Sequence, residues 1–455
     1  MSVHLDHIDL PDFGMESVRP TLPPEIHSLR FRRFVDRLGA LGFDSAIVYA
    51  DREHSANISY LTGFDPRFEE ALLIVAGGGR PLLITGNECI GMAEAAPLDM
   101  RVELHQDLSL PGQPRDRSRP LRDVLVSEGL GSRVAMIGWK EFADRSMVEV
   151  PSWIVETVRD VAGESGVIEN ANRILTAADG GLRIVNEVEQ LAAFEHASCT
   201  TSSGVRNLLR HLEPGMSEAQ AVSFLGWDGS PLSCHLMLTA GDRASLGLLS
   251  PGDRRIERGD RFTTAFGIWG ALTCRAGFVV RDAGELPALI GDYVERLVAP
   301  YFAAIVEWYE ALHIGQTGGA LYDIIDRRLG DPFFGIFLNP GHQIHLDEWV
   351  NSPVSRNSDT TLASGMALQV DVIPATGSAY FTTNIEDGIA LADEDLRKTI
   401  AQRYPAMWSR IEGRRTFMGD VLGIDLHPDV LPFSNIPAVL SPFLLAPDLA
   451  MVTDR

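Results

Sequence analysis

Long apolar runs are missing from this 455-residue chain. No uninterrupted stretch approaches the ~20 residues that a membrane-crossing helix needs, so neither a membrane span nor a membrane partner is expected. Positive charge is scarce as well: 39 Lys and Arg stand against 62 Asp and Glu, a net charge of −23. Phosphate binding wants a basic surface, so nucleic acid is not an expected partner. A cationic substrate is compatible with that charge, and solubility alone also accounts for it. Cysteine is rare: Cys89, Cys199, Cys234 and Cys274 are scattered without C-x-x-C spacing. They read as reduced thiols of a cytoplasmic protein, not as a disulfide framework. Residues 1–15 carry Asp6, Asp9 and Asp12 and lack a basic segment followed by an apolar one, so they are not read as a signal peptide. There is no low-complexity tract.

What is present suits a globular protein of two domains: 45% hydrophobic and 22% charged residues over a length ample for two cores. Residues 1–23 are polar and punctuated by proline, and read as an extended arm lying on another domain or subunit. From 24 to 175, strand-like runs (Ala46–Tyr49, Ala71–Val75, Pro81–Ile84, Arg133–Ile137) alternate with helical ones (Arg30–Leu41, Pro120–Glu128), which predicts an α/β layer. Gly77-Gly78-Gly79 marks a hairpin. The Asn172–Gly181 stretch reads as a link. From 182 to 395 the chain reads as α+β. It opens on a long helix, Arg183–Leu212, and a capping box at Ser217–Gln220 starts the next. Strands follow at Ser233–Ala240 and Arg261–Gly267, then helices at Glu285–Leu312 and Ala320–Leu329. Residues 396–455 read as the rest of a helix (Glu394–Ser409) and a proline-spaced apolar wrap.

Imidazoles and carboxylates concentrate between Asn339 and Asp387, beside β-type runs. The stretch contains Asn339-Pro340-Gly341-His342-Gln343-Ile344-His345-Leu346-Asp347-Glu348-Trp349, then Gly365-Met366-Ala367-Leu368-Gln369-Val370-Asp371, then Asn384-Ile385-Glu386-Asp387-Gly388. Imidazole and carboxylate are the ligand types that hold hydrolytic metals. The order resembles the aminopeptidase P, prolidase and creatinase family, which reads roughly G-H-G-I-G…H-E, G-M…E-P and R-I-E-D. Asn57-Ile58-Ser59-Tyr60-Leu61-Thr62-Gly63-Phe64 resembles the Y-L-T/S-G-F signature of the family's N-terminal domain, with Tyr60, Leu61 and Phe64 read as plain core. The resemblance spans about Pro24 to Leu391 and implies an α/β N-terminal domain, a pita-bread C-terminal domain and a homodimer.

In the dimetal peptidases of that family, two Asp, one His and two Glu hold a metal pair. Carried over, the first Asp falls at Ala265 and the second at Cys274, so the Asp pair is lost. The His matches His342, and the two Glu match Asp371 and Glu386. A second family His falls at Trp349. The resemblance therefore implies a divergent member, with either one divalent metal ion (zinc, iron or manganese) on His342, Asp371 and Glu386, or none. Creatinase, the metal-free branch, also lacks the Asp pair.

Other residues add chemistry of their own. His342 and His345, with Asp347 and Glu348, form H-x-x-H-x-D-E, suited to a metal or to acid–base work. His235 and Glu348 are further catalytic candidates. Cys234, Cys274 and His345 also read as ordinary buried groups. Arg67, Phe68, Cys274 and Trp349 are candidates for substrate contact, the first two because that loop in dimeric relatives reaches the other subunit's site. The expected function is hydrolysis of a C–N bond in a small polar amide, amidine or peptide. The alternatives are an inactive pita-bread binding protein and, were the Asp alignment wrong, an Xaa-Pro dipeptidase or aminopeptidase.

Overall fold

A computed structural model describes residues 2–454. Contacts divide the chain into two units: Leu22–Ile184, and the residues up to Thr21 joined to those from Val185 onward. The N-terminal arm and the C-terminal tail thus both fold with the second unit. The division falls just beyond the expected link because the Leu182 and Arg183 amides bond back to the carbonyls of Ile174 and Leu175 (3.0 and 2.9 Å).

The Leu22–Ile184 unit is built on a six-stranded sheet in the order Arg101–Leu104, Leu82–Thr85, Ala71–Val75, Ser45–Ala50, Arg133–Ile137, Val167–Asn170. Its central strand shows why: all six residues of Ser45–Ala50 are buried. Side chains alternate across a strand. Ala46, Val48 and Ala50 join the core under Phe34 and Leu38, whereas Ile47 and Tyr49 join the opposite core with Val124 and Ile154. The first helix, Pro24–Ala40, buries Ile26, His27, Arg30, Phe34 and Leu38. Val35 and Leu41, expected on that face, are 40% and 45% exposed. Arg30 takes their place because its guanidinium stacks on the Tyr60 ring at 4.2 Å. The Asn57–Phe64 stretch is core: a helix, Ala56–Thr62, ends at Gly63 in a left-handed conformation (φ 74°). A Cβ there would lie 2.4 Å from Pro97 Cγ.

The second unit holds a seven-stranded antiparallel sheet. Its order is His342–Gln343, Ala367–Asp371, Asn384–Leu391, Ala271–Phe278, Arg261–Ile268, Met237–Ala240, with Val430–Pro432 also pairing Asn384–Leu391. The helix Val188–His211 packs on this sheet, and Phe194 joins Ala265, Leu272 and Ala367 in one core. Ser2–His7 pairs with Leu449–Asp454, so the arm and the tail make a separate two-stranded ribbon. The tail's Leu431, Phe433, Phe443 and Leu444 are buried.

Three expected elements differ. The expected Glu285–Leu312 helix begins as two short 3₁₀ turns, Ala283–Glu285 and Ala288–Ile290, and is continuous only later, where a π-helical stretch, Val294–Val298, runs into the α-helix Ala299–Ala311. Pro287, extended at ψ 134°, interrupts it, and Leu289 is left 76% exposed. The final helix is two, Glu394–Arg403 and Pro405–Asp420. Tyr404 breaks it because a residue before proline resists the helical conformation. The strand expected at Ser233–Ala240 runs only from Met237 to Ala240, preceded by a single bridge at Leu232.

Candidate active site

The sheet register places the candidate residues. Asp371 pairs with Glu386, Glu386 with Cys274, Cys274 with Ala265 and Ala265 with Met237, making one row across five strands. His342 pairs with Gln369, two residues from Asp371 and so on the same face. Alternation also explains the Ile385-Glu386-Asp387 run. Glu386 faces the site, and Asp387 faces the other side, where its Oδ2 meets Arg275 at 2.8 Å. Arg275 further donates to the carbonyls of Cys274 (2.7 Å) and Glu386 (3.3 Å), tying the two strands together.

On the site face, His342 Nε2 lies 3.3 Å from Glu348 Oε1, 3.5 Å from Glu386 Oε1 and 3.9 Å from Asp371 Oδ2. His342 is fully buried, and Asp371 and Glu386 are nearly so. Ligand atoms of His342, Asp371 and Glu386 all lie within 4.8 Å of one another, a spread suited to one metal ion. His342 Nε2 and Asp371 Oδ1 have no hydrogen-bond partner although both atoms are buried. Buried polar atoms are rarely left so. Three carboxylates around one imidazole also leave excess negative charge. Burial and the neighbouring Glu386 push the Asp371 carboxyl well above its ordinary range, against the opposing pull of His342. Burial and Glu348 do the same to Glu386, opposed by Arg275. The donor set and its unspent atoms therefore fit a single divalent cation. Beyond Glu386 the row continues through Cys274 and Ala265, neither of which carries a carboxylate.

Trp349 stacks on the His342 ring (centroids 4.0 Å apart, planes at 15°) and is itself 38% exposed. It covers the imidazole face, while Glu348 is partly exposed. Cys274 is buried, accepts a hydrogen bond from Asn384 Nδ2 (3.1 Å), and burial with Glu386 pushes its thiol up to about 12. Burial with Glu348 and Glu386 pushes Cys234 up to about 12 as well. Both stay protonated at neutral pH, which removes them as thiolate nucleophiles.

His345 and His235 stand apart from this group. His345 is buried with its ring edge-on to Phe194 at 5.1 Å, outside the group of ligand atoms around His342. His235 is exposed, and its Nε2 lies 2.7 Å from the Leu248 carbonyl oxygen, so the structure does not bring it to the cluster. The paired part of its strand begins only at Met237. Arg67 and Phe68 lie in the other unit, on a loop where Phe68 is 52% exposed. Asn384, which opens the Asn384–Gly388 run of the sequence and was not among the candidates, sets Cys274 through its amide. Its spacing of two from Glu386 on a strand was the available signal.

The fold is the pita-bread architecture of prolidases and related Xaa-Pro peptidases. The chain matches the prolidase of Thermococcus sibiricus with a TM-score of 0.63 at 17% identity, covering 81% of this chain and 95% of that one. It matches the Pyrococcus horikoshii OT3 prolidase at 0.62 and 15% (80% and 95% covered). For the Bacillus anthracis Xaa-Pro dipeptidase the values are 0.61 and 17% (81% and 96%). In sequence, it is 22% identical over 382 residues to the uncharacterized peptidase YqhT of Bacillus subtilis strain 168, covering 81% of this chain and 97% of that protein. No protein-family model matches the chain. Among the described residues, no helix is long and apolar enough to cross a membrane.

Proposed function

We propose that this protein hydrolyses a C–N bond in a small polar amide, amidine or peptide, using a single divalent metal ion (zinc, iron or manganese) held by His342, Asp371 and Glu386. The observation that carries this reading is the buried trio of ligand atoms within 4.8 Å, with His342 Nε2 unspent. A metal bound there would supply Lewis acidity and lower the pKa of a bound water.

The chain's own groups have distinct tasks. Glu348, beside His342 and open to solvent on one side, accepts the proton of the attacking water and returns it to the leaving nitrogen. Trp349 holds the His342 ring in place and presents an aromatic edge to a substrate. Cys274, kept as a thiol, and Ala265 leave too little carboxylate charge to offset the repulsion of two adjacent dications. The relatives named as prolidases and Xaa-Pro dipeptidases put proline dipeptides in the substrate screen beside amides and guanidino compounds.

The test is hydrolysis measured across that screen. Glu348→Gln should lower kcat by about 10²–10⁴-fold, the usual share of a general base, and His342→Ala should abolish turnover with circular dichroism unchanged. Full activity in folded His342→Ala would contradict the assignment.

A further inference from the structure

On the opposite side of Arg275 from the candidate active site lies a cavity of about 310 Å³, lined by the arm, the Val188–His211 helix and the tail. Small-molecule sites run from roughly 300 to 1,000 Å³. Its apolar wall includes Leu10, Leu209 and Val439, and its charged lining is Arg206, Arg210, Arg275, Asp9 and Asp448.

The state of these charges decides what fits. Arg275 has no donor to spare, since it is committed to Val439, Cys274, Ile436 and Asp387. Asp448 Oδ2 is engaged by His7 Nδ1 at 3.1 Å. Arg206 spends its terminal nitrogens on the carbonyls of Pro11 and Leu10 (2.8 and 2.5 Å), but its buried Nε has no partner. Arg210 follows one helical turn later, and among the described residues neither it nor the Asp9 carboxylate makes a side-chain hydrogen bond or ion pair. The cavity thus offers uncommitted guanidinium donors, one uncommitted carboxylate and an apolar wall. A lone anion or a lone cation would use only half of that set.

We infer that this cavity binds a small zwitterion with an apolar body, an α-amino acid of the leucine type. Its carboxylate sits against Arg206 and Arg210, its ammonium against Asp9 and its side chain against Leu209 and Val439.

Isothermal titration of the full chain with L-leucine, 4-methylpentanoate and isopentylamine tests this. Saturable binding of leucine is expected, at least tenfold tighter than either single-charge analogue. Arg210→Gln and Asp9→Asn, both at exposed positions, should each weaken leucine by tenfold or more, with unchanged melting of the free protein. His342→Ala should leave leucine binding intact. The inference is overturned by no saturable binding, by an analogue that matches leucine, by full affinity in both charge variants, or by loss of binding in His342→Ala, which would place the ligand at the active site.

Discussion

Glu195 is the residue whose removal should cost this fold most. It stands on the Val188–His211 helix at 1% exposure and receives Arg410 through Nε and Nη2 (2.8 and 2.7 Å) and Arg414 through Nη1 (2.8 Å). Arg414 is fully buried; its other hydrogen bonds among the described residues go to Asn435, the Pro432 carbonyl and Cys199, all uncharged, and its guanidinium lies over the Phe13 ring. Glu195→Gln keeps the shape but leaves that guanidinium without a counter-charge. Breaking a buried pair in this way costs about 3–5 kcal/mol. For a unit of this size, with an unfolding entropy of about 0.6 kcal/mol/K, that is a fall in Tm of roughly 5–8 °C. Burial opposes ionisation of Glu195, but the bond to Arg410 and the two guanidinium charges outweigh it and hold its carboxyl below the ordinary value. Its contribution is therefore complete above the unfolded-state pKa of about 4.3 and lost as pH falls through the lower folded value. Urea melts followed by hydrogen exchange of the Val188–His211 helix should show the full deficit at pH 7 and a shrinking one below about pH 4. A loss under about 1 kcal/mol at pH 7, or a deficit that grows toward acid, would refute the reasoning.

Other outcomes follow from single features. Ala265→Asp with Cys274→Asp restores carboxylates opposite each other in the row, and should raise bound manganese from about one toward about two equivalents by plasma mass spectrometry. Trp349→Ala uncovers the His342 ring and should speed its carbethoxylation by diethyl pyrocarbonate several-fold, read by peptide mass spectrometry. Gly63→Ala combines a left-handed backbone with overlap on Pro97 and should destabilise the Leu22–Ile184 unit by about 1–3 kcal/mol in urea titration.

Much of the sheet was legible because its strands carry β-branched and apolar runs with abrupt ends. Arg133–Ile137 and Arg261–Ile268 are visible from composition alone. The sequence has no carboxylate anywhere from Gly270 to Ala276, and the sheet sets Cys274 of that stretch beside Glu386. What the sequence hid was non-local. That Cys274 faces Glu386, and that Trp349 folds back onto His342 seven residues earlier, depends on strand pairing and on the turn between them. Neither hydrophobic period reports that. The split of the last helix at Tyr404-Pro405 was written in the sequence, but the apolar stripe continues across the break and masks it. His235 looked site-like because it sits in a strand-like run, whereas pairing starts two residues later.

The central claim is that this sheet carries one cation site, not two and not none. Plasma mass spectrometry of the protein purified without chelator, then titrated with zinc, manganese or iron and dialysed, tests it directly against His342→Ala. Roughly one tightly held equivalent, lost in the variant, is the predicted result for a site of three protein ligands. Two equivalents, retention in His342→Ala, or no retained metal after titration would contradict it.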